Sequence, residues 1–181
     1  MKFSVKKLIM SALCLALGLL LPTFFHMFGA GTVFLPMHIP VLLCGLICGA
    51  PYGAAVGLVL PFISSAITGM PAIFPTAVAM CLELCTYGLI TGLLYRRHKR
   101  NIYLSLVVGM LAGRGVSGLA NAAILGIAGQ PYAFGTFITA SFVTSIPGIV
   151  IQLVFIPLIV MVLLKAKVIT RSDGPASIEN A

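Results

Sequence analysis

Apolar residues in this chain do not alternate with polar ones; they run unbroken over stretches as long as a bilayer is thick. A helix that crosses the hydrocarbon core needs about 20 mainly apolar residues. Residues 8–25 form the first such stretch, preceded by Lys2, Lys6 and Lys7. From Val41 to Tyr95 the chain is apolar throughout, punctuated at Gly49-Ala50-Pro51 and from Gly69-Met70-Pro71 to Pro75. This predicts spans at 38–50, 52–68 and 76–95, the first two of them short. A fifth span is predicted at 103–126 and a sixth from 135 to 164, separated by a loop around Gly129-Gln130-Pro131. Residues 26–40, reading HMFGAGTVFLPMHIP, are too broken for one straight helix and too apolar for an ordinary loop.

Composition agrees with lipid as the main solvent. The 181 residues are 60% hydrophobic and 8% charged, with a mean hydropathy of +1.17. A soluble domain carries about a quarter charged residues, so a core covered by polar surface is excluded. The expected fold is an all-α integral membrane protein, a bundle of about six transmembrane helices. Residues 1–168 form one domain, and 169–181 form a polar, disordered cytoplasmic tail.

Charge sets the orientation. Basic residues outnumber acidic ones 11 to 3, and they gather at the ends of the apolar segments, as membrane topology requires and nucleic-acid binding does not. The positive-inside rule puts the N-terminus, the Arg96-Arg97-His98-Lys99-Arg100 loop and the tail after Lys165 in the cytoplasm. An even number of spans must then precede residue 96 and an even number must follow it. Four plus two satisfies this; two plus two also would, if 26–75 were re-entrant.

Small residues indicate how the helices pack. Gly45, Gly49, Gly53 and Gly57 recur every four positions, although Pro51 interrupts any single helix, and Gly109, Gly113 and Ser117 do the same further on. In lipid such residues let helix backbones approach closely. The five cysteines, Cys14, Cys44, Cys48, Cys81 and Cys85, all lie in apolar runs and read as small buried thiols rather than a soft-metal site.

Two ionisable groups stand well inside predicted spans, Glu83 and Arg114. Each costs roughly 3 kcal/mol to insert at a helix centre, so each needs a partner or a wet cavity. Helical spacing puts Ser117, Gly118 and Asn121 on the Arg114 face. Thr76, Glu83, Thr86 and Tyr87 make a second polar stripe, and Thr144, Ser145, Gly148 and Gln152 a third. With span four running outside to inside and span five back again, these stripes converge on the outer half of the bundle. Two readings stay open: a ligand cavity, or a Glu83–Arg114 ion pair that only locks helices together. There is no G-x-x-x-x-G-K-[S/T], H-E-x-x-H or G-x-S-x-G motif, and no carboxylate pair. The chain therefore holds no P-loop and has no expected catalytic residue, cofactor or metal. His38 reads as a polar residue at a helix mouth.

Three features together resemble a known family, the substrate-binding (S) component of energy-coupling factor (ECF) vitamin transporters. The first helix carries Ala12 and Ala16 as Ala-x-x-x-Ala. Phe34-Leu35-Pro36-Met37-His38-Ile39-Pro40-Val41 precedes a Gly-rich span from Gly45 to Gly57. Glu83-Leu-Cys-Thr-Tyr87-Gly88 leads to Gly92-Leu-Leu-Tyr95, the basic loop and Gly113-Arg114. The resemblance implies a subunit of the prokaryotic plasma membrane that captures a micronutrient from outside and hydrolyses no ATP. It implies docking through Ala12 and Ala16 onto a transmembrane coupling subunit that carries two cytoplasmic ATPases, with residues 26–40 as a lid. Taken with the polar stripes, Glu83, Tyr87, Arg114, Ser117, Asn121 and His38 are the candidate substrate-binding residues. Arg114 suits a carboxylate, which favours a pantothenate-like acid among vitamin-type substrates, with folate, queuosine-precursor, lipoate, pyridoxine and pyrimidine types left open. Met1-Lys2-Phe3 lacks the Met-x-His start of metal-transporting members. The alternative from a different class is a membrane scaffold or assembly protein with Glu83–Arg114 as its internal glue.

Overall fold

The computed structural model describes residues 4–27, 35–127, 135, 139, 143–166 and 169. Its elements are α1 (Val5–Met27), α2 (His38–Cys48), α3 (Ala50–Thr68), α4 (Ile73–Arg97), α5 (Ile102–Ile127) and α6 (Ile146–Lys165). No strand occurs among the described residues. Five of the six helices, all except α2, are long and apolar enough to cross a membrane.

The short helix corrects the sequence reading. A span was expected at 38–50, but α2 has 11 residues and extends only about 16 Å, roughly half the hydrocarbon thickness. Its end has a local cause. Gly49 takes φ +103°, a value L side chains rarely adopt, and Pro51 sits in the first turn of α3, where a missing N–H costs nothing. The chain therefore turns sharply between α2 and α3. At the other end, α6 runs from Ile146 with Pro147 in its first turn; the expected span from 135 takes in residues outside the described ones. Most of 128–142, the expected lid residues 28–34 and the expected tail beyond Ile169 lie outside the described residues.

The ends of α4 are wound more loosely than its middle. Ala77 N–H reaches Ala72 C=O and His98 N–H reaches Leu93 C=O, each one residue beyond the α-helical spacing, and Phe74 is extended (φ −127°, ψ 133°). Thr76 lies in this wider first turn and is exposed while Glu83 is buried, so the expected Thr76–Glu83 stripe does not form.

Helix α4 is the centre of the bundle, packed against α3, α5 and α2; α1 lies on α2 and α3, and α6 on α2 and α5. A backbone seam joins the inner three. A Cβ at Gly88 would strike the backbone of Gly53, and one at Gly92 the backbone of Ala50. At Gly45 it would lie 2.7 Å from Gly88 O, and at Gly53 2.6 Å from Gly45 Cα. Lipid offers no hydrophobic gain for helix association, so this closeness of main chains is where dispersion contacts accumulate. Of the four-residue glycine repeat, Gly45, Gly53 and Gly57 serve the seam, and Gly49 serves the turn.

The outer surface is apolar, as lipid demands: Leu20, Ile67 and Leu119 are each about two-thirds exposed or more (67%, 69% and 74%). Several hydroxyls on the helices are satisfied by the carbonyl one turn back, as in Thr86 to Leu82 O (2.7 Å) and Thr91 to Tyr87 O (2.6 Å). The cysteines are free, four buried and Cys85 partly so, and no metal-binding group of three or more His, Cys, Asp or Glu exists among the described residues.

Candidate functional site

Helices α4 and α5 run antiparallel with a readable register. The Tyr87 ring lies where a Cβ on Gly113 would stand, and the Thr91 methyl 2.6 Å from where one on Gly109 would be. One turn further along α4, the same register delivers Glu83 to the level of Arg114 and Ser117. Glu83 lies about 15 Å along α4 from Ile73, and Arg114 about 18 Å along α5 from Ile102, both near mid-bundle by helical rise. Because α2 is short, its first residue, His38, also arrives at this depth instead of at the bundle's edge.

The result is one buried polar cluster. Tyr87 donates its hydroxyl to Glu83 Oε1 at 2.8 Å. Arg114 Nε and His38 Nε2 each stand 3.5 Å from the same oxygen, and Ser117 is a further donor to the carboxylate. The His38 and Tyr87 rings are 5.4 Å apart and tilted by 56°. Tyr87 is fully buried, and His38, Glu83, Arg114 and Ser117 each expose less than a tenth of their surface. A carboxylate removed from water needs this many donors, since burial of an unpaired charge is prohibitive in a low dielectric.

Some polar atoms of this region are left over. Arg114 Nε lacks a well-formed hydrogen bond, and His38 Nδ1 and Gln152 Nε2 are buried with no partner at all. Such orphans are rare in folded proteins because each costs on the order of 1–3 kcal/mol.

Five of the six candidate residues therefore meet: His38, Glu83, Tyr87, Arg114 and Ser117. The sixth, Asn121, is half-buried one turn further along α5 and spends its amide on Ser117 O at 2.8 Å. Tyr87 is occupied in holding Glu83, a positioning task. Thr86 is not part of the cluster; it faces outward and bonds back to its own helix. On α6, Ser145, Gly148 and Gln152 are buried while Thr144 is exposed. Gln152 was legible as part of a polar stripe, but nothing in the spacing said that its amide would be left unpartnered.

On α1, Ser11, Cys14, Gly18 and Pro22 face the bundle, whereas Ala12 and Ala16 are exposed. Residues 6–160 match the family model described as ECF transporter, substrate-specific component. The chain belongs to this family. No curated protein and no solved structure matches it. As an ECF substrate-specific component it is a multi-pass cell-membrane protein and a substrate-binding subunit of a transporter, a role that is not enzymatic. Membership also implies its associates: a small-molecule substrate and a module with transmembrane and ATPase parts.

Proposed function

We propose that this chain captures a vitamin-type micronutrient with high affinity in the outer half of its bundle and delivers it with a coupling subunit and two cytoplasmic ATPases. The observation that supports this reading is the cluster of His38, Glu83, Arg114 and Ser117, buried at mid-bundle with hydrogen-bonding atoms left unsatisfied. A cluster serving only to join helices has no use for unsatisfied polar atoms, whereas a site awaiting a ligand does. In this reading both termini and the Arg96–Arg100 loop are cytoplasmic, and Ala12 and Ala16 face the coupling subunit.

The sequence favoured a pantothenate-like acid because Arg114 is a cation. Its pairing with Glu83 at 3.5 Å supplies that cation with a counter-ion inside the protein, which weakens the case for an acid. Native mass spectrometry of the purified protein tests the capture reading: one small molecule bound stoichiometrically is expected, and its absence would count against capture at this cluster.

A further inference from the structure

Charge and hydrogen bonding balance differently in the buried cluster. The charges cancel, with one carboxylate on Glu83 and one guanidinium on Arg114, 3.5 Å apart. The hydrogen bonds do not, because His38 Nδ1 and Gln152 Nε2 have no hydrogen-bond partner and Arg114 Nε makes only its 3.5 Å ion-pair contact. Gln152, which exposes only 1% of its surface, belongs to α6, and α6 packs against the two helices that carry His38 and Arg114. It lies about 9 Å along α6 from Ile146, at the end of the bundle where α4 begins.

The chemistry of each orphan narrows what can satisfy it. Arg114 Nε and Gln152 Nε2 are donors only. His38 turns Nε2 toward a carboxylate oxygen, so in the neutral imidazole Nε2 carries the proton and Nδ1 offers a lone pair. With a neutral His38, the site asks its ligand for acceptors for two N–H groups and for one proton to give to His38.

An amide or lactam edge provides both, a carbonyl oxygen with two lone pairs beside an N–H. A carboxylate provides acceptors but no proton for Nδ1. It would also bring a second negative charge beside Glu83, where low dielectric strengthens the repulsion. We propose that the ligand is electrically neutral and carries an amide or lactam, with Gln152 as a binding residue beside Arg114 and His38. This inference rests on the capture reading above.

The test is chromatography and mass spectrometry of methanol extracts from equal amounts of purified wild type, Gln152→Leu and the Glu83→Ala/Arg114→Ala double variant. The expected result is one uncharged, amide-containing compound, near-stoichiometric in the wild type and depleted in both variants. Equilibrium dialysis of that compound should give an affinity roughly 2- to 10-fold lower for Gln152→Leu, the effect of one neutral hydrogen bond, with the melting temperature of the empty protein unchanged or raised. A carboxylic acid or phosphate in the wild-type extract overturns the neutral-ligand inference and leaves capture standing. An amide compound held equally well by Gln152→Leu removes Gln152 from the site. A wild-type extract indistinguishable from that of the double variant overturns capture itself, and this inference with it.

Discussion

The Tyr87 ring occupies the space that a side chain on Gly113 would need, while its hydroxyl is donated to Glu83 Oε1 at 2.8 Å. Packing on α5 thus fixes the orientation of a carboxylate on α4, and a residue with no polar side chain of its own controls the polar cluster. Gly113→Ala should push the ring out of register and destabilise the protein by about 1–3 kcal/mol, the usual cost of overpacking. Gly115→Ala on the same helix meets open space and should be neutral or slightly stabilising, since alanine is the better helix former. Thermal melting in detergent compares the two; equal melting temperatures would refute the assigned contact.

The ion pair between Glu83 and Arg114 makes a second prediction. Removing either partner leaves a buried charge uncompensated, at a cost of roughly 3–5 kcal/mol. Glu83→Ala and Arg114→Ala should therefore each lower the melting temperature strongly, and the double variant should recover much of the loss. Arg114→Lys should restore part of the stability but not ligand affinity, because a point charge replaces a planar fork. Reading the same cycle by affinity separates site from glue. Strong stability coupling with unchanged affinity would leave the pair as a helix lock and remove it from the ligand site.

These relationships show what the sequence could and could not reveal. Uninterrupted apolar runs made five spans legible, because lipid imposes a length on every crossing helix. Glu83 and Arg114 were legible by cost alone, as charges that lipid penalises. The half-length of α2 was not, since its hydropathy resembles that of its neighbours and its end depends on one φ angle at Gly49. That length decides how deep His38 sits, so a residue that read as the rim of a helix mouth became a partner of Glu83. Thr76 misled as well: it lies in a wider turn than ideal spacing assumes, and it is exposed.

Orientation is a third matter for experiment. The basic residues Lys6, Lys7, Arg96–Arg100 and Lys165 share one end of the bundle by connectivity, and the positive-inside rule makes that end cytoplasmic. Single cysteines at positions 97 and 98 should label with impermeant reagent only from the cytoplasm, and cysteines at 31, 70 and 129 only from outside. The native thiols offer a low background, as four of the five are buried. Labelling of position 98 from the exterior would invert the topology and move the site to the wrong half for capture.

The last prediction concerns the exposed stripe of α1. Ser11 and Cys14 point into the bundle, where Cys44 Sγ approaches Ser11 Oγ at 3.6 Å, while Ala12 and Ala16 point away from it. Most other outward positions of this helix are bulky, including Leu8, Ile9, Leu13, Leu17 and Leu20. Lipid does not call for two alanines among them, but a partner helix approaching closely would. Ala12→Trp and Ala16→Trp should fold and bind ligand as the wild type does, because neither side chain contributes to the core. Both should abolish uptake in cells that carry the coupling subunit and ATPases, and both should lose co-purification with that module. Uptake at the normal rate in both variants would exclude this face from docking, whereas loss of folding would mean that α1 is seated differently from the arrangement described.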